Sequence, residues 1–206
     1  MAEQRAEPQR AERKMNSLLE IKPRLTSDLA VGSSNLLDAH QRINQTSGKT
    51  EYYTPQRIVE AARETLGEID LDPASSETAN LRVKAATIYT AEDDGLSKIW
   101  RGRVWMNHPF GRKENPLWIN KLIAAYLSGD VTSACCICFA STSEEWFQPL
   151  AQYPQCYLSP RTNYIDGVTG KTKRGVSKGS VVTYFGSNLE LFAANFRALG
   201  AVKRCI

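Results

Sequence analysis

Val104-Trp105-Met106-Asn107-His108-Pro109-Phe110-Gly111-Arg112 is the stretch on which the reading of this chain turns. Three apolar residues in a row predict a buried strand. The chain then breaks where an amide, a fixed proline and an aromatic face project together. Just beyond, Asn115-Pro116-Leu117-Trp118-Ile119 predicts the start of a helix. In open α/β sheets functional residues gather at such exits, at the carboxyl ends of the strands. Asn107 to Phe110 also fit an ordinary strand-ending turn, because Asn, Pro and Gly punctuate loops everywhere.

The chemistry that wants this set is work on the exocyclic amine of a flat base. That nitrogen is a poor nucleophile because its lone pair is delocalised into the ring. The Asn107 amide oxygen and the His108 backbone carbonyl can each accept one of its N–H groups and favour a more tetrahedral nitrogen. Phe110 offers a face on which an extruded base could stack. The segment resembles the Asn-Pro-Pro-Tyr/Phe signature of amino-methyltransferases, and in particular the phage-type DNA N6-adenine methyltransferase family, which uses S-adenosylmethionine. His108 stands where that signature has its first proline. A backbone carbonyl is the group needed there, and His supplies one; Pro109 biases residue 108 toward an extended conformation.

Composition sets the bounds. A chain of 206 residues predicts one domain with a short extension, and 42% apolar content is enough for a sizeable core. The net charge of +4 is compatible with a nucleic-acid partner without demanding one. Cys135, Cys136 and Cys138 fall inside an apolar run, where cysteine acts as a small buried hydrophobe, so no metal site is expected. No apolar run is long enough to span a bilayer and no signal-peptide pattern is seen, which predicts a cytoplasmic protein.

Residues 1–48 are polar and weakly periodic, and predict a loosely ordered extension to a domain spanning 49–206. Glu51-Tyr52-Tyr53-Thr54-Pro55 opens that domain. Thr54 is expected to cap a helix that begins at Pro55, buries Ile58, Val59, Ala62 and Leu66, and ends at Gly67. Tyr53, Thr54 and Pro55 resemble the family's N-terminal cofactor motif; a capped helix with a packing tyrosine explains them about as well. Glu68 to Asp72 predicts a short strand running into an acidic turn of small residues. A carboxylate at a strand's carboxyl end, Asp72, can bind the ammonium of a methionine moiety, and small residues beyond it let backbone approach a ligand. Leu71-Asp72-Pro73-Ala74-Ser75 matches the family's Leu-Asp-Pro-Ala-Ser in full, with no glycine-rich loop in the vicinity.

Ala85 to Thr90 predicts a strand, and Glu92-Asp93-Asp94-Gly95-Leu96 with Trp100 follows. Asp94, with Asp93 as second choice, is expected to accept from the adenine amine of the cofactor; Asp-Gly is also a turn signal in its own right. The family reads much the same here. Pro116 to Leu127 carries apolar residues at helical spacing, and Val131 to Phe139 predicts a strand covered on both sides. A capped helix is expected after Ala140, with Trp146 and Phe147 either walling a base pocket or packing in the core. Between 161 and 178, Arg161, Lys171, Lys173, Arg174 and Lys178 face a single acid, Asp166. With Arg112 they are the candidates for phosphate contact, against the alternative of a solvated hairpin. A strand over Val181–Phe185, a helix over Asn188–Leu199 and a strand over Ala201–Ile206 complete the pattern.

The alternation predicts an α/β fold with a doubly wound, mostly parallel sheet. The resemblance, over roughly residues 51 to 205, implies the Rossmann-like class I methyltransferase fold, S-adenosylmethionine as cofactor, double-stranded DNA as partner and methylation of adenine N6. It further suggests protection of phage or host DNA from restriction. Two other readings stay open: a non-catalytic DNA- or cofactor-binding relative inactivated by His108, and an amino-methyltransferase acting on RNA or protein. Only about thirty residues separate the Leu-Asp-Pro-Ala-Ser segment from Asn107. That leaves no room for a large target-recognition domain and predicts a short or relaxed recognition sequence.

Overall fold

The computed structural model describes residues 52–167, 169–173 and 176–204. The expected extension over 1–48 and the candidate Arg174 lie outside them. In chain order the strands are β1 Tyr52–Tyr53, β2 Leu71–Asp72, β3 Thr87–Ile88, β4 Gly102–Met106, β5 Val131–Phe139, β6 Gln155–Leu158, β7 Ile165–Asp166, β8 Ser180–Phe185 and β9 Gly200–Lys203. The α-helices are α1 Gln56–Leu66, α2 Glu77–Val83, α3 Glu114–Leu127 and α4 Leu189–Phe196, and Glu145–Gln152 is a 3-10 helix.

Seven strands form one sheet in the order β3-β2-β4-β5-β8-β6-β9. Its first half is parallel, β2 pairing with β3 and β4, and β4 with β5. Beyond β5 every neighbour is antiparallel. Five strands (β3, β2, β4, β5 and β6) therefore point one way, and β8 and β9 the other. The expectation of a mostly parallel sheet describes strand direction but not pairing, because β8 inserts between β5 and β6. The methyltransferase-like α/β architecture is thus a mixed sheet.

β5 explains why the sheet is covered on both faces. Its Cys135 and Ile137 join the core formed with Ile58 and Val59 of α1 and Phe192 and Phe196 of α4. Its Ala134, Cys136 and Cys138 join the opposite core, with Trp118, Ile119 and Leu122 of α3 and Phe147 of the 3-10 helix. Alternate side chains on a strand point to opposite faces, so a continuous apolar run is what two cores require. Ile119 and Leu122 are fully buried, and truncating either to Ala would cost about 2–5 kcal/mol.

Local expectations were met unevenly. The strand at 131–139 and the buried face of α1 stand as expected. Thr54, however, does not cap α1. Pro55 has ψ 141, so the helix starts at Gln56, and Thr54 lies one residue too far upstream to reach its first amides. The Thr54 hydroxyl is instead buried without a hydrogen-bond partner. The segment after Ala140 forms no capped α-helix but a 3-10 turn with Pro149 inside it and no side-chain cap. Proline has no amide to donate to an α-helical ladder. α4 stops at Phe196 and begins at an Asn188 side chain that accepts from the Leu191 amide at 3.1 Å. Two features had no sequence expectation: α2, capped by Ser76, and a two-stranded sheet in which β1 pairs antiparallel with β7.

Candidate active site

β4 delivers Asn107 at the carboxyl end of the parallel half of the sheet. The Asn107 Nδ2 donates to the Tyr52 carbonyl at 3.1 Å. That bond ties one of the amide's two N–H groups to β1. β7 pairs with β1 and helps to hold it there, with Tyr52 opposite Asp166 and Tyr53 opposite Ile165.

The next residues split in their surroundings. The His108 ring is buried, with Nε2 3.0 Å from Asn115 Oδ1. Burial pushes its imidazole down to about 4, so the ring is neutral near pH 7. Pro109 is exposed and Phe110 half-buried. Phe110 meets Phe139 edge-on with centroids 4.7 Å apart and Tyr164 at 5.8 Å. The aromatic of the motif is thus one wall of a three-ring cluster.

The Leu-Asp-Pro-Ala-Ser segment lies beside them, one strand over. Tyr53 Oη and Ser76 Oγ are 3.2 Å apart, which joins β1 to the turn after β2. Asp72 is buried, and burial raises its carboxyl to about 7, partly offset by the Ser75 hydroxyl and the Ala74 amide. The Ala74 amide donates to Asp72 Oδ1 at 3.3 Å. Ser75 Oγ is buried and makes no hydrogen bond of good geometry. Pro55 is half-buried between Thr54 and α1.

The acidic loop docks against that turn. A Cβ added at Gly95 would sit 2.0 Å from the Pro73 carbonyl oxygen and 3.3 Å from the Trp118 ring, so glycine is what allows the two loops to meet. Trp100 Nε1 donates to the Gly95 carbonyl at 2.8 Å and Lys121 Nζ to the Leu96 carbonyl at 2.9 Å. Asp94 has φ 51, a left-handed conformation that aspartate tolerates better than most residues. Its charge raises the Lys121 pKa, against a larger lowering by burial. Asp93 Oδ2 accepts from the Thr90 amide and hydroxyl, both at 2.9 Å, and so braces the turn.

A family model described as DNA N-6-adenine-methyltransferase (Dam) matches residues 43–199, about three-quarters of the chain. The chain belongs to this family. No curated protein and no solved structure matches it. Membership of the Dam family suggests DNA adenine methylation and agrees with the convergence of the four segments on one end of the sheet.

The basic candidates of this Dam-family chain border the same place. Lys173 lies over the Tyr52 ring, 4.3 Å from its centroid, and also bonds to the Tyr52 hydroxyl. Lys178 lies 5.5 Å over Phe139. Arg161 Nη1 donates to the Val176 carbonyl at 3.5 Å, and Lys171 and Arg112 are exposed. Asp166 Oδ1 accepts from the Thr169 amide and hydroxyl, and Ile165 bridges Thr172. The one acid among the cations therefore folds a hairpin.

Trp146 lines an open cavity of about 450 Å³ with Arg112, Asn120 and Glu145; Asn107 and Phe110 do not line it. Phe147 is fully buried and belongs to the core. Residues that sequence reasoning missed are Tyr52, Ser76, Asn115, Lys121, Phe139 and Tyr164. Each acts by contact across 20 or more residues, or by a side chain whose partner only the fold supplies, and carries no local signal. Among the described residues no group of His, Cys, Asp or Glu could hold a metal ion, and no helix is long and apolar enough to cross a membrane.

Proposed function

We propose that this chain transfers a methyl group from S-adenosylmethionine to the N6 amine of adenine in double-stranded DNA. The observation that supports the reading is the Asn107–Tyr52 bond, which ties the Asn107 amide to β1 at a strand end bordered by the cofactor candidates. The donor set suits the cofactor's methionine end. Asp72 is a buried carboxylate with no cationic partner among its hydrogen bonds, and an ammonium would supply one. Thr54 Oγ1 is buried without a hydrogen-bond partner on the segment that the Tyr53–Ser76 contact joins to the turn after β2.

S-adenosylmethionine, when bound, supplies a methyl group on a positively charged sulfur. Asp72 would hold the ammonium, with Tyr53, Pro55, Pro73 and Ala74 shaping the surrounding wall, and Asp94 would accept from the adenine ring's amine. Asn107 Oδ1 and the His108 carbonyl would accept the two N–H groups of the target amine and direct its lone pair toward the methyl. Pro109 would bias His108 toward an extended backbone, and Phe110 would limit the position of the base plane. The proton lost after transfer needs no side-chain base, because the methylated aminium is strongly acidic and water accepts it. The chain's contribution is positioning and polarisation.

Arg112, Arg161, Lys171, Lys173, Arg174 and Lys178 would contact DNA phosphates around the site. Protection of DNA from restriction is the biological use that this reading favours. The test is transfer of labelled methyl to unmethylated double-stranded DNA. Label on adenine N6 that disappears in Asn107→Ala, a loss of about 10²–10³ in kcat with cofactor affinity kept, supports the proposal. Label on RNA or protein instead would overturn it.

A further inference from the structure

His108 is the one point at which the strand-end motif departs from Asn-Pro-Pro-Phe, and the fold gives its ring a seat. The ring lies roughly parallel to Trp118 at 29°, with centroids 6.3 Å apart, and Phe110 meets it edge-on at 5.5 Å. His108 Nε2 is 3.0 Å from Asn115 Oδ1, and both residues are buried, 2% and 7% exposed. An amide oxygen only accepts, so the neutral ring carries its proton on Nε2. Asn115 is itself anchored, its backbone N–H donating to the Gly111 carbonyl at 2.9 Å in the first turn of α3.

A ring held this way joins residue 108 of the strand-end motif to α3. The chain from Asn107 to Gly111 is thereby tied at its middle, by His108, and at its end, by Gly111, to the same Asn115. The His108 Nδ1 is buried without a partner, a desolvation cost that an apolar side chain would not carry. A buried polar pair that carries that cost points to a geometric task.

We propose that Asn115, through His108, is a positioning residue that fixes the His108 carbonyl and the Asn107 amide in one orientation, replacing the rigidity a proline ring would give. The inference rests on the methyl-transfer reading above. It makes His108 a working part of the motif rather than a lesion. Because a buried polar group left alone is costlier than the absence of both partners, the pair also has a distinct mutational signature.

The experiment measures kcat, KM for DNA, cofactor Kd and Tm for wild type, Asn115→Leu, Asn115→Asp, His108→Pro and the double variant His108→Pro/Asn115→Leu. Asn115→Leu should lower kcat at least tenfold with KM and Kd within threefold. Asn115→Asp keeps an oxygen acceptor and should stay within threefold of the wild-type kcat. His108→Pro alone should lose activity, and the double variant should recover it to within threefold. A kcat for Asn115→Leu within twofold of wild type overturns the inference. If Asn115→Leu does not fold, a double variant no more active than His108→Pro overturns it. Wild-type protein that labels no adenine sinks the methyl-transfer reading and this inference with it, whereas an active wild type with an indifferent Asn115→Leu sinks the inference alone.

Discussion

Asp72 offers the sharpest test of how this chain holds its cofactor. Its carboxyl is raised to about 7 because burial disfavours the charged form. An ammonium beside it would reverse that preference, so cofactor binding and ionisation of Asp72 are linked. With a pKa of about 7, roughly 3% of the carboxyl is ionised at pH 5.5 and about half at pH 7. Affinity should therefore rise about fifteenfold across that window. The cofactor's α-amino group stays mostly charged up to pH 7, since even chain-terminal α-amino groups titrate at about 7.7–8.0.

Stability of the unliganded protein is a poorer readout, because two buried groups oppose each other. Asp72 binds a proton more tightly folded than unfolded, so its contribution is full below about 4 and is lost as pH rises through about 7. His108 binds its proton less tightly when folded, so its contribution is full above 6.5 and is lost as pH falls toward about 4. The raised carboxyl and the lowered imidazole act in opposite directions between pH 4 and 6.5, so most of the effect cancels there. The assay is isothermal titration of S-adenosylmethionine at half-unit steps, with wild type and Asp72→Asn. Asp72→Asn should bind at least tenfold more weakly at pH 7 and give a flat profile, as expected for losing a charge-assisted bond of about 1.5–3 kcal/mol. A flat wild-type profile, or the same slope in Asp72→Asn, would refute the assignment of Asp72.

Three further outcomes follow from particular contacts. Gly95→Ala places a Cβ 2.0 Å from a backbone oxygen that cannot swing aside, so the loops bearing Asp72 and Asp94 must separate; cofactor affinity measured by titration should fall at least tenfold, and an unchanged Kd would show that their contact is irrelevant to binding. Lys173→Ala and Lys178→Ala should each weaken DNA binding on every sequence alike and reduce the slope of log K against log salt by about one; an unaltered slope in fluorescence anisotropy would remove that lysine from the phosphate-contacting set. Methylation mapping of genomic DNA treated with the protein should return a short or relaxed site, and a long, strict one would require recognition elements other than the hairpin around β7.

The local sequence determined much of this protein. A continuous apolar run with no alternation forces a strand buried on both faces, so β5 was readable to the residue. The spacing of Ile58, Val59, Ala62 and Leu66 fixed a helix face, and the break at Asn107 fixed a strand end. These follow from periodicity and from backbone restrictions that act within a few residues. The four motifs were likewise legible one by one, because each is a contiguous string.

Tertiary structure decided what those strings do to each other. Whether the sheet would continue parallel past β5 depended on β8 inserting beside it, a choice set by pairing partners 40 or more residues away in sequence. The capping role of Thr54 failed on a single backbone angle at Pro55. No pattern in Tyr52-Tyr53 announces a pairing with Ile165–Asp166, yet that pairing brings the carbonyl that orients Asn107. His108 reads as a departure from a motif in sequence and as a seated, neutral ring in the fold, because only the packing of α3 places Asn115 and Trp118 around it. Local chemistry named the parts; desolvation and long-range pairing, which exist only once the chain is folded, set their charge states and their aim.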